Sequence, residues 1–154
     1  MSTTTFTAKP LIRLWTDTDA PPAGRRPLVY SIDRTLGVIF IDLLTIDDAP
    51  ALVLALQRLR LDPSFDRALN ACIDCRYLSR APDADDIHAI AALWPRGATR
   101  SLTGRCAIVA SSPWVLSGAR TFAALAGGGA DRIRVFGACA EALVWLGLGR
   151  QQPA

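Results

Sequence analysis

Apolar periodicity is weak before position 28, where a two-residue alternation begins and soon fills in. LVYSID (28–33) alternates, Arg34 and Thr35 interrupt it, and LGVIFID (36–42) follows as a nearly continuous apolar run. Period-two alternation places successive side chains on opposite faces of a strand, and a run apolar at every position marks a strand covered on both. The two segments predict a hairpin, with Leu36, Val38 and Phe40 on one face of the second strand and Ile39 and Ile41 on the other.

Further on, the period lengthens to that of a helix. Thr45 and Asp48 have capping-box spacing, with Asp in place of Glu, ahead of a helix whose Leu52, Leu56 and Leu59 share a face while Arg58 and Arg60 lie off it. Asp62 and Pro63 end it. Residues 68–74 (ALNACID) predict a buried central strand with Asp74, Cys75 and Arg76 emerging at its carboxyl end, where open α/β sheets place their binding crevices. Three aspartates within 81–86 suit the positive end of a second helix, with Ile87, Ile90, Ala91 and Trp94 as its inner stripe. The loop that follows carries Arg96 and Arg100 and lacks periodicity.

CAIVA (106–110) predicts another buried strand. Ser112 as cap and Pro113 at the first helical position then introduce a helix with Val115, Ala119, Phe122 and Ala126 inward, closed by Gly127, Gly128 and Gly129. RIRVF (132–136) alternates as a marginal strand does, and a last helix over about 138–146 packs through Ala142, Leu143 and Leu146. The order is β-β-α-β-α-β-α-β-α. It predicts an α/β domain with a mixed sheet of about five strands, the later ones parallel because helical crossovers favour that arrangement.

Length and charge narrow this picture. At 154 residues and 51% apolar content the chain suits one domain, here 28–147, with a flexible Ser/Thr- and Pro-rich arm over 1–27 and a tail over 148–154. The net charge of +3 leaves the body with +1, because Lys9, Arg13, Arg25 and Arg26 against Asp17 and Asp19 place +2 in the arm. No basic stripe is interleaved with aromatics, which argues against a nucleic-acid partner. The absence of a secretory pattern or an 18-residue apolar run, with four cysteines scattered among core elements, fits a reducing cytoplasm and no transmembrane segment.

The hairpin LVYSID and LGVIFID, the strand ending IDCRYLS before an acidic helix start, and the closing RVFGACAEALVWLG resemble the SpoIIAA-like branch of the STAS superfamily, the domains related to anti-sigma factor antagonists. The resemblance spans roughly residues 28–147 as a pattern of elements and implies a regulatory or binding module. In those antagonists a phosphorylatable Ser lies at the helix start after the central strand. Here that segment falls near 83–86, which reads DADD without a Ser, so the resemblance implies binding without a phosphorylation switch.

Candidate chemistry is sparse. Cys72 and Cys75 form a C-x-x-C, but within a strand, where a spacing of three sends side chains to opposite faces and no helix dipole lowers the thiol pKa. Together with the isolated Cys106 and Cys139 they read as buried packing residues, and no metal or cofactor is expected. His88, the only histidine, lies beside the apolar stripe of its helix. Asp74 and Arg76 either pair with each other or clamp an anion. Ser111 and Ser112 stand between a strand and a helix, as an anion site or simply a cap, and Ser79 follows the central strand as a turn residue.

The expectation is a non-catalytic module that binds a protein partner or small ligand at the sheet edge formed by Asp74, Arg76, Ser79, Ser111 and Ser112. The resemblance also permits a carrier of an apolar or lipid-like ligand, with Trp94 and Trp114 lining a pocket between helices. A small hydrolase or transferase would need Ser79 or Ser112 within hydrogen-bond reach of His88. Self-association through residues 11–15 or an exposed strand edge is a further route to partners.

Overall fold

The computed structural model describes residues 26–93, 104–127 and 131–148. Among them lie β1 (Leu28–Asp33), β2 (Val38–Leu43), α1 (Ala49–Leu61), β3 (Asn70–Asp74), α2 (Ala84–Leu93), β4 (Cys106–Val109), α3 (Pro113–Ala126), β5 (Ile133–Phe136) and α4 (Cys139–Trp145). β1 pairs antiparallel with β2, while β2, β3, β4 and β5 are parallel and lie side by side in chain order. The α/β class and mixed five-strand sheet therefore hold. Gly37 turns the hairpin at φ 68, a conformation open to a residue without Cβ, and Asp33 Oδ1 accepts the Leu36 amide at 2.9 Å.

Parallel strands that step one way along a sheet through right-handed crossovers keep their connecting helices on one face. Leu52 and Leu59 of α1 pack with Leu28, Ile39 and Ile41, and Ile87 of α2 with Val115 and Phe122 of α3 pack over Ala71, Ile108 and Ile133. On the opposite face α4 sets Cys139, Ala142 and Leu146 against Val38, Phe40, Cys72 and Val109. β2 is thus covered on both sides, with Val38, Ile39, Phe40 and Ile41 all buried.

The local signals need two corrections. Asp48, expected at the third helical position, is itself the cap of α1 and accepts the Ala51 amide at 3.0 Å, while Thr45 Oγ1 accepts from the Asp47 amide. A reciprocal box forms instead at α2, where the Asp86 amide donates to Asp83 Oδ1 and the Asp83 amide to Asp86 Oδ2, each at 2.9 Å. Ser112 does cap α3 by position, with Pro113 in the first turn, but its hydroxyl makes no capping bond. Gly127 ends α3 at φ 76. Expectations for residues 1–25, Trp94, Arg96, Arg100, Gly128 and Gly129, and for the tail beyond 148, lie outside the described residues. No helix among the described residues is long and apolar enough to cross a membrane.

Candidate functional site

Register brings two carboxylates together at the carboxyl end of the sheet. Asp42 of β2 is the lateral neighbour of Asp74 of β3, and both are buried. Alternation with Phe40 and Cys72 turns them toward the face covered by α4. Asp74, fully shielded from solvent, accepts from Arg76 Nε at 3.0 and 3.1 Å, from Nη2 at 2.9 Å, and from the Arg76 backbone amide at 2.9 Å. The hydrogen bonds it donates to Asp74 raise the Arg76 guanidinium pKa above its ordinary value, and the Tyr77 ring lies 5.5 Å from it. Of the two readings of Asp74 and Arg76, pairing is what the structure displays.

Asp42 has no such partner. Its Oδ1 is buried without a hydrogen bond. Burial, and after it the charge of Asp74, pushes its carboxyl up to about 6, with Arg76 acting in the opposite direction. Nothing in the sequence pattern singled out Asp42, because its significance depends on β2 lying beside β3 in this register.

The serine candidates share the carboxyl edge through topology alone. Ser79 is exposed and its amide donates to Leu44 O at 3.2 Å; Ser111 is exposed and Ser112 half-buried. Among the described residues the hydroxyls of these three serines make no hydrogen bond. His88 is exposed on α2 and its Nδ1 lies 2.7 Å from the Ala84 carbonyl, so that nitrogen is the donor. The Ser–His contact required by a hydrolase is not formed. Cys72 and Cys75 are buried free thiols on opposite faces, one packed with Phe40 and the other with Ile108. Burial raises both thiol pKa values and lifts Cys106 to about 12, which leaves them protonated and unreactive. No group of three or more potential metal ligands occurs among the described residues.

The other face of the sheet holds a feature of a different kind. Between α1, α2, α3 and the sheet is a cavity of about 120 Å³, bounded by Ile41, Leu43 and Ile73 on the sheet, Leu52 and Leu56 on α1, Ile87 and Ile90 on α2, and Val115 and Phe122 on α3. Ile73 lies on the central strand of the helix-covered face, yet it is only half-buried, whereas Ala71 and Cys75 on either side are buried. The helices flank Ile73 without closing over it. α1 also presents Leu54 and Leu61 outward, the latter 82% exposed, so it is apolar around most of its circumference.

The carboxyl-edge end of this cavity, near Ile46, Leu78 and Pro82, lies beside an ionic bridge. Arg80 donates to Asp47 ahead of α1 and, at 2.6 and 3.2 Å, to Asp86 in the first turn of α2. The hydrogen bond from Arg80 is the largest influence lowering the Asp86 pKa to about 2. Trp114, expected in the pocket wall, is 76% exposed at the start of α3, one residue before the inward-facing Val115, and does not line the cavity. Leu56 and Ile90 were legible as inner-stripe residues; the gap between their helices was not. No protein-family model, curated protein or solved structure matches this chain.

Proposed function

We propose that this chain is a non-catalytic, STAS-like binding module whose ligand is a small apolar molecule or the apolar portion of a larger one, held between the sheet and the helices α1, α2 and α3. The carrying observation is the 120 Å³ cavity with half-buried Ile73 at its floor. Protein interiors are ordinarily close-packed, and an engineered apolar cavity of about 150 Å³ in another protein stays dry and admits benzene. The volume here therefore suits a ring or short alkyl chain. The STAS-like part of the reading is supported by the β-β-α-β-α-β-α-β-α order and the consecutive parallel strands. The edge with Asp74, Arg76, Ser79, Ser111 and Ser112 then serves as scaffold, since Asp74 pairs with Arg76 and none of the five lines the cavity.

The test is calorimetric titration of the full chain with 1-octanol, beside an Ile73→Trp variant whose indole occupies the space. Saturable one-to-one binding to the wild type, lost in a folded Ile73→Trp protein, is expected. No binding to the wild type, or equal binding to both, would refute the reading.

A further inference from the structure

The sequence ahead of β1 is rich in Ser, Thr and Pro and holds one apolar island, LIRLW (11–15), with Lys9 and Arg13 as its charges and no acid from 9 to 15. The point at which this sequence joins the fold is fixed. Leu28 opens β1 opposite Leu43, at the carboxyl edge of the sheet, and the Pro27 carbonyl accepts the Leu44 and Thr45 amides at 2.8 and 3.2 Å. Leu28, Leu43 and Ile46 all line the cavity, so the chain enters the domain at the cavity's own wall. That end is also acidic. Asp47 and Asp48 precede α1, and Asp83, Asp85 and Asp86 lie at the start of α2; against them stand Arg80 and Arg26, which leaves this rim negative.

Resting on the cavity reading above, we infer that in the ligand-free protein the cavity is filled by the chain's own segment 11–15, which a ligand must displace. A space that suits a ring or a short alkyl chain suits the Trp15 indole or a leucine side chain, while Lys9 and Arg13 meet the carboxylates of the rim. The tether is long enough. Residues 16–27 separate Trp15 from Leu28 and span up to about 40 Å, against about 20 Å for the 13 residues of α1. It also favours the segment's own cavity over that of a second copy, because a short tether holds its segment at an effective concentration of about 1 mM. At that concentration even a weak docking constant of about 0.3 mM keeps the cavity about three-quarters occupied and weakens a competing ligand about fourfold.

The experiment titrates 1-octanol by calorimetry into the full chain as wild type, as Leu11→Ser/Leu14→Ser/Trp15→Ser and, as a control on α4 across the sheet, as Val144→Ser. The triple variant should bind octanol about fourfold more tightly than wild type, and Val144→Ser should match wild type. In ligand-free wild type, NOEs from the Trp15 indole to the Ile73 and Ile90 methyls are expected, and they should vanish as octanol saturates. Equal octanol affinity in wild type and triple variant, or absence of those NOEs, overturns this inference and leaves the cavity reading standing. NOEs that arise only between chains, in a mixture of labelled and unlabelled protein, place the segment in a second copy and overturn it as well. Failure of all three proteins to bind octanol overturns both readings.

Discussion

Replacing Asp42 by asparagine isolates the buried polar group that lacks a hydrogen bond among the described residues. The residue is 7% exposed, its Oδ1 lacks a donor, and its neighbour on the adjacent strand is another carboxylate. With the folded carboxyl raised to about 6, against about 3.9 in an unfolded chain, the difference of about two units corresponds to about 3 kcal/mol. The folded state holds this proton between pH 4 and 6 when the unfolded state has released it. Its stabilising contribution is therefore complete below about pH 4, falls as pH rises, and is gone above about 6. Asp47 and Asp86, both lowered by Arg80, have the opposite sign and lose their contribution as pH falls below their ordinary range. Working at pH 4.5 and above keeps the two effects apart.

Urea unfolding of wild type and Asp42→Asn at pH 4.5 and 7.5 measures the effect as a difference of differences, which cancels the steady cost of a buried amide. The variant should gain about 2 kcal/mol relative to wild type between the two pH values, and its own stability should be flatter across that interval. Parallel stability curves for the two proteins would refute the assignment of an unpaired, proton-holding carboxyl to position 42.

Two other substitutions test the packing. Arg76→Ala strips the partner from fully buried Asp74 and should cost about 3–5 kcal/mol in urea unfolding, with part of the loss recovered in Asp74→Asn/Arg76→Ala; a loss under about 1 kcal/mol would mean that water screens the pair. At Gly118 an added Cβ would lie 2.7 Å from Pro82 Cγ, so Gly118→Ala should destabilise by about 1 kcal/mol despite alanine's better helix propensity, and should become stabilising in a Pro82→Ala background. Equal effects in both backgrounds would contradict that contact.

Strands and helices were legible because their signals are local. LGVIFID is apolar at nearly every position, and β2 is buried on both faces; Ile87 and Ala91 recur at helical spacing and both face the core. The Cys72 and Cys75 spacing placed the two thiols on opposite faces, where the structure has them. What escaped was relational. Asp42 ends an apolar run and gains meaning only from its register with Asp74. The cavity depends on the distance between α1 and α2, and Leu56 or Ile90 reads the same in sequence whether its helix closes over the sheet or stands apart. Trp114 shows the same limit at one residue, since an offset of one position turns a side chain by about 100° around a helix and out to solvent.

Methyl-selective NMR of the full chain titrated with 1-octanol tests the binding cavity most directly. Saturable shifts are expected at Ile41, Ile73 and Ile90, with Ile133, which is buried but does not line the cavity, left unmoved. Unchanged Ile73 and Ile90 methyls at saturating octanol, or shifts confined to exposed groups such as Leu61 and Val144, would contradict it.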